Sequence, residues 1–238
     1  MAKKENSDNS QIILVPKIIK YTGANPLNLV EQKELYEGVL DLKEKYNGFP
    51  GLDAHFQFDG EKGITGSNLP YLVLVNKFLA NKGERTPTFY EAVQLDKKGL
   101  LTNEVYRDYG IIIFNSGNPN SKLARKLVGL AEKKGWELPI LVHASALELD
   151  KKSRLYRFGK NDSLVIYGEE AREELKNFDY DYDGNFSVQR LRRDNDGYWN
   201  PYWDHLLDSN SYGRVDWKCV GGSAPKNLEE LSFNRLNN

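Results

Sequence analysis

Apolar residues fall along the chain with two different periods. Residues 29, 30, 35, 36, 39, 40 and 42 are apolar with Lys and Glu between them. That spacing, near 3.6, predicts a helix over residues 29–46, stopped by the Gly/Pro stretch 47–51. Leu123, Leu127, Val128, Leu130 and Ala131 predict another over residues 122–134, with Gly135 just past its end. A short acidic helix is expected over residues 169–177. Elsewhere the period is two. Ala54, Phe56 and Phe58 alternate with His55, Gln57 and Asp59, and residues 186–192 set Phe, Val and Leu against Ser, Gln and Arg. Residues 89–95, 110–114, 138–149, 155–158, 163–167 and 213–220 read as further strands. So does the β-branched run 11–21, broken or ended by Pro16 within it. Residues 71–80 (YLVLVNKFLA) are apolar on every side and fit a buried strand or a short helix equally. Turns are expected at 25–28, 115–121, 150–153 and 179–184. Strands without regular intervening helices argue against a doubly wound parallel sheet. The expectation is an α+β fold, mainly antiparallel, with a few flanking helices. Residues 1–10 are expected to be a disordered tail and 11–238 a single domain.

Composition narrows the function classes. The 238 residues carry 33 Lys/Arg against 34 Asp/Glu, a net charge of −1, so nucleic acid would have to be met by a local patch. One cysteine, Cys219, excludes a disulfide framework or a cysteine zinc site and suits a reducing, cytoplasmic location. No apolar run is long enough to span a membrane, and the polar opening does not read as a signal peptide. P-loop, dinucleotide, zincin and EF-hand motifs are absent, and no metal or other cofactor is expected.

Local charge does supply a patch. Residues 121–160 hold ten Lys/Arg and four acids. Lys151, Lys152, Arg154, Arg157 and Lys160 interleave with Tyr156 and Phe158, and Arg190, Arg192 and Arg193 form a second cluster. Such residues can neutralise DNA phosphates, with aromatics beside them to stack on bases. A solvated helix face and a basic hairpin would give the same pattern. The segment 194–219 gathers three Trp, three Tyr and five Asp. It contains His205-Leu-Leu-Asp208, a spacing that lets a carboxylate orient an imidazole over a shared water. A surface ion pair has the same spacing. Asp208, Asp216 and Lys218 also echo the layout in which carboxylates hold Mg²⁺ beside a lysine. The glycine-rich loop 60–66 leads to Tyr71, either a core residue or a group facing a ligand.

The His205/Asp208 pair near the C-terminus and Tyr71 in the N-terminal third resemble the site of the PabI-type restriction DNA glycosylases. That resemblance implies a strongly curved antiparallel half-pipe. It implies a homodimer on double-stranded DNA that flips and excises adenine from 5′-GTAC-3′ without a metal, leaving abasic sites that are then cleaved. His205, Asp208 and Tyr71 would be catalytic, although Tyr36, Tyr46, Tyr90 or Tyr106 could stand in Tyr71's place. Two alternatives stay open. One is a Mg²⁺-dependent restriction-type endonuclease using Asp208, Asp216 and Lys218. The other is a non-catalytic protein- or nucleic-acid-binding module.

Overall fold

A computed structural model describes residues 23–114, 122–159, 164–176, 187–203 and 206–220, and only the backbone of 200–203. The expected tail, the strand over 11–21, the turns at 115–121 and 179–184, Lys160 and His205 lie outside these residues. The elements run β1 (Ala24–Pro26), α1 (Leu29–Glu44), β2 (Gln57–Asp59), β3 (Gly63–Thr65), α2 (Leu69–Ala80), β4 (Glu84–Arg85), α3 (Phe89–Lys97) and β5 (Arg107–Ile113). They continue with α4 (Lys122–Lys133), β6 (Ile140–His143), a 3-10 turn (Ala144–Ala146), β7 (Leu147–Asp150), β8 (Leu155–Phe158) and β9 (Val165–Tyr167). Last come α5 (Gly168–Leu175), β10 (Val188–Arg193), β11 (Trp199–Trp203) and β12 (Trp217–Val220).

The fold is α+β and its strand ladders are antiparallel. A five-stranded sheet in the order β11-β10-β5-β6-β9 is joined by a three-stranded sheet β1-β12-β4 and by hairpins β2-β3 and β7-β8. The strong curvature implied by the resemblance is corrected: among the described residues no sheet is strongly curved or closed. Both faces of the five-stranded sheet are covered, so its central strand β5 is buried along its whole length, and its Arg107 and Asp108 are paired with opposite charges. Ile111, Ile113, Ile140, Val142 and Val188 face the larger core with α2 and α4. Tyr109, Ile112, Leu141 and Leu191 face a smaller core with Phe89 and Ala92 of α3 and Ala171 and Leu175 of α5. Gly110 lets β5 and β6 close up, because a Cβ there would lie 2.0 Å from the Val142 carbonyl oxygen.

The expected helices over 29–46, 122–134 and 169–177 form as α1, α4 and α5. Residues 71–80 resolve as helix α2. Asn68 accepts the Tyr71 N–H as its N-cap, Pro70 sits in its first turn, and nine of its residues are buried, as suits a helix apolar all round. Three expectations are corrected. Residues 89–95 are helix α3 and not a strand, because Thr88 and Glu91 close a capping box at its start. The strand over 138–149 breaks at His143, whose Nδ1 accepts the Ser145 N–H and starts the 3-10 turn. The turn at 25–28 is instead strand β1, paired with β12 through Ala24↔Cys219, followed by the α1 N-cap Asn28. Among the described residues no helix is long and apolar enough to cross a membrane.

Candidate anion-binding surface

The end of α1, the side of α2 and the β7–β8 turn meet around Tyr46, whose ring is buried. The Lys77 Nζ donates to its hydroxyl at 2.7 Å and stands 5.3 Å from the ring centroid. The Lys151 Nζ, from the β7–β8 turn, stands 5.1 Å from the same centroid. One turn earlier on α1, the Lys43 Nζ donates to the Tyr71 hydroxyl at 3.1 Å. Arg154 completes the group: a Cβ on Gly48 would come within 3.1 Å of its guanidinium. Among the described residues no carboxylate lies within ion-pair distance of Lys43, Lys77, Lys151, Lys152 or Arg154. The Lys151 ammonium, 5.1 Å from the Tyr46 centroid with no hydrogen bond to its hydroxyl, gains a cation–π attraction, and each of these ammoniums keeps N–H donors for an anion.

Beside this cluster runs a groove of about 440 Å³. Pro50, Leu123, Leu155, Leu206 and Leu207 line it, with Ser153, Arg154 and Lys122 among the same walls. Its far wall is the loop 206–210, pinned by Asn68. That side-chain amide donates to the Leu207 carbonyl at 2.7 Å and to the Gly51 carbonyl at 2.8 Å, while the Leu69 N–H donates to Leu206 O at 3.0 Å. Gly66 must stay bare for this packing, since at φ +100° a Cβ would sit 2.1 Å from the His55 carbonyl oxygen and 2.9 Å from Ser209 Oγ.

The residues singled out in the sequence separate. Asp208 is exposed on the loop, its carbonyl accepting from Arg190 at 2.9 Å. His205 lies outside the described residues, so the pair itself has no geometry to give. Tyr71 is 1% exposed, stacked on Phe56 with centroids 4.2 Å apart, and donates to the Leu52 carbonyl at 2.5 Å. Burial pushes its phenol pKa up, against the pull of Lys43. It is a core residue, and its hydroxyl is engaged. Lys151, Lys152 and Arg154 are exposed as expected, but Arg157 is tied to Glu148 at 2.6 Å.

The second basic cluster is corrected outright. Arg190 is 2% exposed and forks onto both Asp108 oxygens at 2.9 and 2.6 Å. Its guanidinium also donates to the Ser67 carbonyl at 3.1 Å and lies over Tyr106. Arg193 is buried between Asp96, Asn103 and the Thr102 carbonyl. Arg192 pairs with Asp194 at 3.1 Å. A guanidinium cannot be buried without its counter-charge; Arg190 ties β10 to β5, and Arg193 ties β10 to α3 and the loop after it. Two of the expected metal trio are likewise spent. Asp216 receives a bidentate Arg107 at 2.9 and 2.6 Å, and Lys218 bridges Glu31 and Glu84 at 2.8 Å each. Among the described residues no group of three or more His, Cys, Asp and Glu could hold a metal ion.

Behind α3 a buried polar network stays closed to solvent. Arg85 forks onto Glu91 at 2.5 and 2.7 Å. Burial raises the Glu91 carboxyl, but the Arg85 hydrogen bond and charge outweigh it, so the net shift is downward. Burial, reinforced by Arg85, holds the His143 imidazole down at about 3. Burial and the nearby Glu91 charge push the Cys219 thiol up to about 12. Neither group is poised as a base or nucleophile at neutral pH.

Sequence reasoning missed Lys43, Lys77 and Asn68, and named Tyr46 only as a stand-in for Tyr71. Asn68 was visible as an N-cap before Leu69-Pro70. The lysines come from elements far apart in the chain, and no local pattern joins them. Comparison of the chain with protein-family models, with curated proteins and with solved structures finds no match.

Proposed function

We propose that the protein binds double-stranded DNA on the face formed by the end of α1, the side of α2 and the β7–β8 turn. The observation that carries this reading is the set of cations without carboxylates: Lys43, Lys77, Lys151, Lys152 and Arg154. On a chain with a one-charge excess of acid, several other cations are paired, as in Arg85–Glu91, Arg107–Asp216, Arg172–Glu137 and Lys218–Glu84. Ammonium and guanidinium groups not held by a carboxylate are suited to phosphates, whose bound counterions are released as lysines and arginines replace them.

A second reading, metal-independent base excision by a homodimer, rests on one further observation. Leu206 and Leu207, which separate His205 from Asp208, line the groove that Arg154 and Lys122 also line. The exposed Asp208 would then stabilise positive charge developing on the sugar of a base drawn out of the stack. Tyr71 has no part in it, since its hydroxyl is engaged in the core.

The test is incubation with mixed-sequence duplex in excess EDTA, with binding followed by fluorescence anisotropy and free bases assayed after alkali. DNA bound with no base released supports the first reading and sinks the second. Released adenine that disappears in Asp208→Asn supports both. No binding at low salt overturns both.

A further inference from the structure

Lys77 and Lys151 stand around one aromatic ring, whereas a duplex offers its charges in a row. Each strand presents one negative charge every ~3.4 Å of helix axis. Lys77 and Lys151 flank a single ring at 5.3 and 5.1 Å, so their ammoniums are no more than about 10 Å apart. Lys43, one turn earlier on α1, is held at the Tyr71 hydroxyl, and Arg154 lies against Gly48. The groups that position two of these lysines are neutral hydroxyls, Tyr46 and Tyr71, which accept one N–H from each. Each of the two ammoniums therefore keeps two donors for a ligand. We propose that this cluster is a site for a phosphomonoester dianion, such as the terminal phosphate of a nucleic-acid strand, in preference to an internal phosphodiester. A monoester carries between one and a half and two negative charges at neutral pH and three terminal acceptor oxygens. It can take donors from several directions at once, as this arrangement presents them. The choice of a strand end as the ligand rests on the DNA-binding reading. The choice of a dianion rests on the cluster alone.

Two measurements on the full chain test it. The first is the affinity for a short duplex carrying 5′- and 3′-terminal phosphates against the same duplex with hydroxyl ends. The second is binding of inorganic phosphate by calorimetry without DNA. Both are made on the wild type and on Lys77→Gln/Lys151→Gln, whose side chains are exposed, with melting curves to confirm that the variant folds. The proposal expects the phosphorylated duplex to bind about tenfold tighter, the equal of ~1.4 kcal/mol. It expects that ratio to fall below about twofold in the variant, and inorganic phosphate to bind the wild type alone. DNA binding with no preference for phosphorylated ends overturns the site and leaves the DNA reading standing. Phosphate binding lost in the variant, with no DNA bound by either protein, sustains the site and sinks the DNA reading. A preference that survives in a folded variant places the site elsewhere and overturns the proposal.

Discussion

Single side chains carry much of this structure's specificity, and Arg190 is the clearest case. It joins Asp108 on β5 to the Ser67 and Asp208 carbonyls, so one guanidinium ties the sheet to the loop that walls the groove. Removing one partner of a buried pair leaves the other charge uncompensated, at a cost of ~3–5 kcal/mol. Arg190→Met and Asp108→Asn are each expected to lose about that much in urea denaturation. The double variant should lose clearly less than the sum, because the two groups act as one. His143 makes a pH prediction. Its Nε2 lies 3.1 Å from the Pro87 carbonyl, which can only accept, so Nε2 bears the hydrogen and Nδ1 accepts from Ser145. Its folded pKa of about 3 lies below the unfolded value of ~6.5. Between these values the unfolded chain binds the extra proton, so this contribution to stability is complete above ~6.5 and lost as the pH falls toward 3. The slope approaches ~1.4 kcal/mol per pH unit. His143→Gln should remove that portion of the pH dependence between these limits; an unchanged slope would mean the imidazole is protonated in the folded state. Cys219, 0% exposed with a thiol pushed up to about 12, should react with a disulfide reagent only at the rate of opening. Fast labelling of the native protein at pH 8 would contradict its placement in β12.

At the level of elements, what the sequence discloses depends on where the deciding partners lie. Helices α1 and α4 are legible because a 3.6 period is written into consecutive residues, and β8 follows a polar turn at Asp150. Helix α3 is not legible in residues 89–95 themselves, because the capping box Thr88/Glu91 that starts it lies at their edge and is itself buried against Arg85. Thr88→Ala should cost ~1 kcal/mol through the lost cap. Glu91→Gln should cost more, because it also leaves Arg85 buried without its charge; equal losses in the two variants would show that the ion pair adds nothing. The break after His143 was illegible because the side chain that ends the strand is held by Thr86 and Pro87, more than fifty residues earlier. Strand β11 was hidden for the opposite reason. Its residues 199–203 fall in the segment dense in Trp, Tyr and Asp, where no alternation marks a strand, while Trp199 packs edge-on against Phe89 with centroids 5.1 Å apart and donates to Asp96.

Across the whole molecule, charge was legible as a sum and illegible as a map. The excess of six positive charges over residues 121–160 is real, and its turn residues Lys151, Lys152 and Arg154 do face solvent. The run 190–193 has the same composition but sits mid-sheet, where each guanidinium answers an acid: Asp108 some eighty residues away, Asp96 nearly a hundred, Asp194 close by. Conversely, Lys43 and Lys77 join the exposed face only because α1 and α2 pack together and bring Tyr46 and Tyr71 under them. The candidate surface is thus a product of tertiary packing around a sequence-visible turn. Its most direct test is the salt dependence of duplex DNA binding by the wild type and by Lys151→Gln/Lys152→Gln/Arg154→Gln. If these three side chains neutralise phosphates, the slope of log affinity against log salt should become shallower by ~0.9 for each, close to three in all, with the fold intact by circular dichroism. A wild type that fails to bind at low salt, or a folded variant with an unchanged slope, would contradict the assignment of this face to nucleic acid.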